Sequence, residues 1–233
     1  MIPQMSDYID IGVNLTGSSF KDDRNEIIQR AIHAGVTRMI VTGTDVEHSR
    51  KAIELCQQYP QSLIATEGVQ QHHADAYTMH TSRQLAELGH QECVLAIGEC
   101  GLDYNRNFST KQNQRAAFDA QLELAAEVNK PVFLHQRDAH DDFVAMMKNV
   151  RPQLSNAVAH CFTGTAAEVN DYLELDMYIG ITGWICDERR GHDLKQAVKE
   201  IPLDRVMLET DAAYLLPRDL TEKPVKNRRN EPC

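Results

Sequence analysis

Four side chains that can bind a divalent metal ion stand at the ends of short apolar segments that are far apart in the sequence. They are Glu99, His135, His160 and Asp211. Two carboxylates and two imidazoles provide the mixed oxygen and nitrogen ligands that suit Mg²⁺, Mn²⁺ or Zn²⁺ and leave positions for water and substrate. Such an ion activates water and stabilises charge on a carbonyl or phosphoryl oxygen. The four residues therefore predict a hydrolytic metal site, in which Asp211 can also accept the proton of the attacking water.

Other polar and aromatic residues follow the same apolar segments, but each has an ordinary alternative role. His72 and His73 come after the third segment, where a ligand and a rim residue are equally expected. Arg137 faces either solvent or an anion. Trp184 and Tyr214 lie on predicted loops, where an aromatic ring can stack on a nucleobase, although packing against neighbouring loops is the more common role. Five further histidines fall on predicted helices and are expected at the surface: His33, His48, His80, His90 and His192.

The apolar segments alternate with longer amphipathic ones, a pattern typical of strands followed by helices. Strands are predicted at 8–13, 38–42, 62–69, 94–97, 131–134, 157–159, 177–179 and 205–208. Helices are predicted at about 20–34, 45–59, 75–89, 111–129, 138–149, 165–175 and 188–200. Parallel strands with crossover helices form a doubly wound open sheet or a closed barrel. Eight strands favour an α/β fold of the TIM type, a (β/α)8 barrel, whose catalytic residues come from the carboxyl ends of the strands.

The length of the chain and the absence of a Pro/Ser/Gly-rich spacer predict one barrel domain over residues 1–233. Only about 25 residues follow the eighth predicted strand, and they show no apolar periodicity. The barrel is therefore expected to lack its last helix. The apolar outer face of the eighth and first strands would then be bare, which predicts reduced stability.

The chain is acidic, with 24 Lys+Arg against 34 Asp+Glu and a net charge of -10. A nucleic-acid substrate would therefore have to be held by metal ions and a local basic patch. A candidate patch, for which a solvated tail is an equally good interpretation, comprises Arg218, Lys223, Lys226, Arg228 and Arg229. Six cysteines without a C-x-x-C pair, no secretory signal and no apolar stretch long enough for a bilayer predict a cytoplasmic protein that does not enter membranes.

Five motifs, in order along the chain, carry a resemblance to a known family. They are IGECGLD at 97–103, LHQRDAH at 134–140, HCFTG at 160–164, YIGITGW at 178–184 and ETDAAYLLPR at 209–218. Together they resemble the TatD family of metal-dependent deoxyribonucleases. DIGVNLT at 10–16 and RRNEP at 228–232 resemble the bacterial branch of that family. The resemblance covers nearly the whole chain, and the ordered set of motifs makes it specific.

The resemblance implies a cytoplasmic TIM-type barrel, expected to be a monomer, that hydrolyses phosphodiester bonds of DNA. It further implies 3′–5′ exonuclease action on single strands, with Mg²⁺ or a related ion. The positions that match metal-binding or catalytic residues of the family are Glu99, His135, His160 and Asp211. His72 matches the second histidine of the family's G-V-H-P-H motif. It is expected to act in catalysis and in substrate binding, the latter together with Arg137 and Tyr214.

Several positions depart from the family's pattern. Gln70 and Gln71 stand where G-V-H-P-H has its first histidine and its proline, and a glutamine is a poor metal ligand and neither an acid nor a base near neutrality. Gly12 and Asn14 replace the H-x-H pair of the wider superfamily, and Ala213 stands where the bacterial branch has proline. Two alternatives therefore stay open: a metal-dependent hydrolase of small amides, esters or lactones, and an inactive remnant that binds nucleic acid or a protein partner.

Overall fold

The strands form one parallel sheet in a computed structural model that describes residues 7–221 and 229–232. They are β1 (Tyr8–Val13), β2 (Val36–Val41), β3 (Leu63–Glu67), β4 (Val94–Asp103), β5 (Val132–Arg137), β6 (Ala157–Ala159), β7 (Tyr178–Ile181) and β8 (Val206–Leu208). Each strand pairs with its neighbour in the sequence. A parallel bridge between Val13 and Ala212 joins the two edges of the sheet. The sheet is therefore a nearly closed barrel, and the predicted TIM-type fold class is confirmed.

Helices connect successive strands. They are α1 (Arg24–His33), α2 (Val46–Gln58), α3 (Met79–Gly89), α4 (Lys111–Glu127), α5 (His140–Val150), α6 (Ala166–Glu174) and α7 (His192–Ala197). Local side chains fix where they begin: Asp45 accepts a hydrogen bond from the backbone amide of His48 at the start of α2, and Thr165 forms a capping box with Glu168 in α6. None of the described helices is long and apolar enough to cross a membrane.

Apolar side chains fill the barrel and the layer around it. A small cluster of buried residues from four of the strands occupies one part of the core: Ile11, Ile40, Ala96 and Phe133. Two larger clusters include residues of the surrounding helices. The face of α4 that carries Phe118, Leu122 and Ala125 is buried. The packed barrel is therefore a rigid support for the loops at its carboxyl end.

The strand β4 is longer than predicted, and this changes the description of two site residues. The sequence places Glu99 and His135 just past their strands, but both lie within β4 and β5. The reason is a ladder that continues to the mouth, where Gly101 pairs with His135 and Asp103 with Arg137. Pairing with Gly101 therefore fixes His135. The ladder is irregular between Ile97 and Cys100, and there the backbone amide of Glu99 donates to Gly43 O at 2.8 Å instead.

Within the described ranges 7–221 and 229–232, no helix follows β8. Three large apolar side chains of β1 and β8 are about half exposed: Tyr8 at 52%, Ile9 at 50% and Leu208 at 57%. The predicted bare outer face is therefore present in the described part of the chain. The predicted cost in stability stays a prediction.

Candidate metal centre

A cavity of about 780 Å³ opens at the carboxyl end of the barrel. Its lining includes every residue predicted for the site: His72, Glu99, His135, Arg137, His160, Asp211 and Tyr214. These residues come from five different strand ends, so only the closed sheet brings them together. The cavity is the place where the predicted chemistry would occur.

Three of the predicted ligands bring metal-binding atoms close together. Glu99 Oε1 lies 3.6 Å from His135 Nδ1 and 3.6 Å from His160 Nε2, and the ligand atoms of the three residues all lie within 4.8 Å of one another. Two ligands that are about 2.1 Å from one ion lie about 3.0–3.5 Å apart, so this spacing is close to that of a shared ion. His160 Nε2 is buried and has no hydrogen-bond partner. An orphaned buried nitrogen beside a carboxylate fits a divalent ion.

The far nitrogen of His135 faces a buried carboxylate that the sequence reasoning did not select. His135 Nε2 lies 3.5 Å from Asp103 Oδ2. The other carboxylate oxygen, Asp103 Oδ1, accepts hydrogen bonds from the backbone amides of Asn105 at 3.0 Å and Arg106 at 2.8 Å. A carboxylate behind a metal-binding histidine holds the tautomer and the orientation of the ring. Asp103 therefore leaves Nδ1 of His135 free to face the metal centre.

His160 has the same arrangement on the other side of the centre. Its Nδ1 lies 3.3 Å from Glu209 Oε2, and Glu209 Oε1 accepts a hydrogen bond from the backbone amide of Cys161. The Glu209 carboxylate fits because Gly12 and Gly180 have no side chains: a Cβ at either position would come within 2.5 Å of one of its oxygens. Gly12 thus makes room for Glu209.

The imidazoles of the site keep the carboxylates of Glu99 and Asp103 ionised. Burial alone would raise the pKa of Glu99, but the neighbouring imidazoles of His160 and His135 outweigh burial and lower it to about 2. Burial also opposes ionisation of Asp103, and His135 lowers its pKa to about 2. For His160 burial would lower the pKa, but the carboxylates of Glu209 and Glu99 raise it well above its usual value. The buried negative charges suit a divalent cation.

Asp211 lines the same cavity but is not part of the close set of ligand atoms. Its Oδ1 accepts a hydrogen bond from Asn14 Nδ2 at 3.0 Å, and its backbone is left-handed with φ 51°. Burial and the nearby charges of Glu209 and Glu99 raise the pKa of Asp211 to about 7. Asn14 therefore orients Asp211.

The loop that carries Asp211 is held by residues far along the chain. Asn230 is buried; its backbone amide donates to Ala213 O at 3.1 Å, and its Nδ2 donates to Thr210 O at 2.9 Å. The neighbouring Arg229 donates to both carboxylate oxygens of Asp23, at 2.9 and 2.7 Å. The segment 229–232 thus fixes the loop after β8, including the position where alanine replaces proline.

His72 lies next to the close set of ligands. Its Nε2 is 3.8 Å from Asp103 Oδ2 and 3.2 Å from Arg106 Nη1. Because a guanidinium can only donate, His72 Nε2 is the acceptor in the second contact and its proton lies on Nδ1. Burial lowers the pKa of His72. A neutral imidazole therefore stands beside the centre, with a cationic side chain in contact.

Two walls of the cavity differ in chemistry. The metal-binding wall, formed by the lining residues that follow residue 98, carries the ligands and the charged side chains. The neutral wall, formed by the lining residues between 14 and 73, has only hydroxyls, amides and imidazoles among its described side chains: Asn14, Thr16, Ser18, Ser19, Thr44, His48, Gln70, Gln71, His72 and His73. Gln71 Nε2 reaches across the cavity and donates to Glu99 Oε1 at 3.3 Å.

His48, predicted at the surface, has a side chain that is 34% exposed and lies on the neutral wall of the open cavity. Its ring turns towards the mouth because Nδ1 lies 2.8 Å from Oδ2 of Asp45, the residue that caps α2. His73 Nδ1 is 3.7 Å from the same oxygen. The position of His48 in the first turn of α2 could have predicted its place at the mouth, since the first turn of each barrel helix lies close to the mouth.

Asp103 and Glu209 are the site residues that sequence reasoning missed, and a signal existed for each. Side chains two residues apart in a strand point to the same face. Asp103 shares this alternation with Glu99 within β4, and Glu209 is the first residue after β8, where a barrel presents its catalytic side chains. The sequence does not show which histidine each carboxylate faces, because those histidines are distant in the sequence.

The candidate basic patch is not formed by its two described members. Arg218 donates two hydrogen bonds of 2.8 Å to Glu188, and Arg229 is paired with Asp23. Both charges are therefore balanced by nearby carboxylates. Lys223, Lys226 and Arg228 lie outside the described residues.

The chain is similar to known proteins over most of its length. A profile of the family described as TatD related DNase matches residues 9–233. The protein named 3′–5′ ssDNA/RNA exonuclease TatD from Dickeya dadantii is 54% identical over 224 residues, which cover 96% of this chain and 84% of that protein. The protein of the same name from Pantoea sp. (strain At-9b) is 52% identical over 224 residues, with 96% and 86% covered. The crystal structure of a TatD homologue from Escherichia coli is 27% identical with a TM-score of 0.88, covering 98% of this chain and 86% of that one.

Proposed function

The chain belongs to the TatD family of DNases, and we propose that it is a metal-dependent 3′–5′ exonuclease that hydrolyses phosphodiester bonds of single-stranded DNA. The names of the similar proteins from Dickeya and Pantoea support this polarity and add single-stranded RNA as a second substrate. The observation that carries the proposal is the close set of Glu99, His135 and His160 in the cavity at the mouth of the barrel.

The roles of the residues follow from their contacts. Glu99, His135 and His160 would hold the ion, while Asp103 and Glu209 keep the two imidazoles turned towards it. When bound, a divalent cation draws electron density from a phosphoryl oxygen and makes water a stronger acid. The buried carboxylates of Asp103 and Glu209 hold the two imidazoles in position and add negative charge to this wall.

The remaining residues act on protons and on the substrate. Asp211, oriented by Asn14, accepts the proton of the attacking water. Neutral His72 binds the substrate beside the centre and assists catalysis there, with Arg106 in contact. Arg137 and Tyr214 line the cavity and contact the strand, Arg137 through a phosphate oxygen and Tyr214 through its exposed ring.

An assay with single-stranded oligonucleotides labelled at the 5′ end tests the proposal. With Mg²⁺ or Mn²⁺ we expect a ladder that shortens one nucleotide at a time from the 3′ end, and no ladder after chelation of the metal. Glu99→Ala should be inactive, whereas Met79→Ala, a change at an exposed side chain of α3, should match the parent protein. Absence of the ladder, or a ladder that survives Glu99→Ala, would exclude the proposal.

A competition experiment distinguishes the exonuclease from a hydrolase of small amides, esters or lactones. Single-stranded DNA should compete with any small ester that the protein cleaves, since both would use the same cavity. Small-ester cleavage that DNA leaves unchanged would favour the second function.

We also propose that the ion is Mg²⁺, that the protein acts as a monomer and that it works in the cytoplasm. Titration of metal-free protein with Mg²⁺, Mn²⁺ and Zn²⁺ ranks the ions by rate. Sedimentation velocity reports the oligomeric state, and fractionation of cells that express the full chain reports the location. A preference for Zn²⁺, a stable dimer or a membrane-bound fraction would each refute the corresponding point.

A further inference from the structure

A phenylalanine stands exposed beside the metal centre, in a segment that follows β4. Phe108 is 70% exposed, although its ring is a large apolar group. Its ring centroid lies 5.1 Å from that of His72 in an edge-on arrangement, and the centroid of His72 lies 6.4 Å from that of His135. The rings of Phe108, His72 and His135 therefore form a row that leads from solvent to the candidate metal centre.

The loop that presents Phe108 is fixed by hydrogen bonds on both sides. Before it, Asp103 Oδ1 accepts from two backbone amides of the loop, and Asn107 Nδ2 donates to Tyr104 O at 2.5 Å. After it, buried Ser109 donates from Oγ to His72 O at 2.9 Å. An exposed aromatic side chain on a fixed loop loses little conformational freedom when a ligand binds to it.

A cationic side chain lies next to the ring. Arg106 contacts His72 Nε2, and among the described residues it forms no ion pair with a carboxylate. By contrast, Arg218 and Arg229 are paired with acidic residues. The guanidinium of Arg106 is therefore available for a phosphate, which it can bind through two parallel hydrogen bonds.

The aromatic side chains on the opposite side of the mouth are placed differently. The ring of Trp184 is half-buried and has the guanidinium of Arg190 over its face at 4.1 Å. Tyr214 is 62% exposed but follows β8, on the side of Asp211. Phe108 is thus the exposed ring on the His72 side of the centre.

Resting on the proposed function, we propose that Phe108 and Arg106 form a subsite for one nucleotide of the substrate strand adjoining the cleaved bond. The base stacks on the Phe108 ring, and Arg106 binds the phosphate of that nucleotide. Stacking on an aromatic ring accepts any base, because every base has a flat π-face. The subsite would therefore bind the strand without selecting its sequence, as an exonuclease requires.

The test uses single-stranded decamers that carry one abasic nucleotide at the 3′-terminal, second or third position, compared with the natural decamer. Phe108→Ala should raise KM for the natural decamer by about 5- to 100-fold, since base–aromatic stacking has that effect on binding. Phe108→Trp should restore KM, whereas Phe108→Leu, which is apolar but has no π-face, should not. Leu203→Ala is the matched control, because Leu203 is 92% exposed and precedes β8 at the far end of the barrel.

One abasic position should remove the difference between the parent protein and Phe108→Ala, and that position identifies the stacked base. Equal KM values for both proteins on the natural decamer, or a penalty that persists at every abasic position, would overturn the subsite. If the parent protein cleaves no single strand, the proposed function fails, and fluorescence anisotropy with the same decamers still decides the subsite. Binding that Phe108→Ala weakens for the natural decamer alone would support it, and equal binding would refute it.

Discussion

Buried carboxylates at the metal-binding wall and outside the cavity behave in opposite ways. Glu99 in the metal-binding wall and Asp103 behind it are buried next to histidines, and both have a pKa lowered to about 2. Outside the cavity lining, at the end of β3 and beside Gly89 of α3, Glu67 is equally buried, and neither of its oxygens has a hydrogen-bond partner. Burial raises the pKa of Glu67 to about 8. Burial alone therefore does not make a charged site; the paired imidazoles do.

The comparison also explains how the site accommodates its substituted positions. Glutamine at 70 and 71 lies in the neutral wall, whereas the close set of ligand atoms lies wholly in the metal-binding wall. Gly12 and Asn14, the other substituted positions, make room for Glu209 and orient Asp211. Glutamine at positions 70 and 71 is therefore compatible with a metal centre on the other wall.

The largest expected effect is at the centre of the metal-binding wall. Glu99→Ala removes the ligand that faces both histidines, and we expect the exonuclease rate to fall by at least about 10³-fold, since metal-derived stabilisation amounts to several kcal/mol. Metal content measured by mass spectrometry after purification should fall in parallel. A variant that keeps stoichiometric metal and more than a tenth of the rate would show that the centre lies elsewhere.

The next effect concerns the carboxylates behind the histidines. Asp103→Asn can keep the two backbone hydrogen bonds to Oδ1 but would turn an amide towards His135 Nε2. We expect the metal concentration for half-maximal rate to rise roughly 10- to 100-fold. Glu209→Gln should do the same through His160. Unchanged metal dependence in both variants would show that these carboxylates do not position the histidines for metal binding.

A smaller effect is expected in the neutral wall. Gln70→Ala removes one hydrogen-bonding side chain from the cavity lining, and a single hydrogen bond contributes about 0.5–1.5 kcal/mol, or about 2- to 10-fold in KM. The value of kcat should stay near that of the parent protein. Steady-state kinetics on single-stranded DNA gives both constants. A loss comparable with that of Glu99→Ala would abolish the distinction between the two walls.

The smallest effect on activity, but a clear effect on stability, is expected from Glu67→Gln. Folded Glu67 keeps its proton up to about pH 8, whereas the unfolded chain loses it near 4.5. The contribution of this group to the free energy of unfolding is thus fully present below 4.5 and is lost as the pH rises towards 8. By pH 7 the loss is on the order of 3 kcal/mol. Urea unfolding between pH 5 and 8 should therefore show a steeper decline for the parent protein than for Glu67→Gln, and parallel curves would contradict the assignment.

The strand and helix order, the barrel and the place of its candidate ligands at the mouth could be predicted because they depend on local patterns. Apolar segments that end on Glu99, His135 or His160 are visible in the sequence, and the carboxyl ends of barrel strands always meet at one mouth. The boundaries were less predictable. The extension of β4 to Asp103 depends on its ladder with β5, which is a contact between distant segments.

The contacts that complete the site could not be predicted from one sequence. Asp103 and Glu209 acquire their roles only when the barrel places them behind His135 and His160. Likewise, no local pattern shows that Phe108 is exposed while Phe118 is buried, because exposure depends on what packs against each ring. The residue types at the site could therefore be recognised in the sequence, whereas their contacts depend on the fold.

The hold of Asn230 on the loop that carries Asp211 has a consequence for the order in which the enzyme is made. All the ligands and Asp211 leave the ribosome before the segment 229–232, whose contacts fix Thr210 and Ala213. The loop that carries Asp211 therefore gains these contacts only after every candidate ligand has been synthesised.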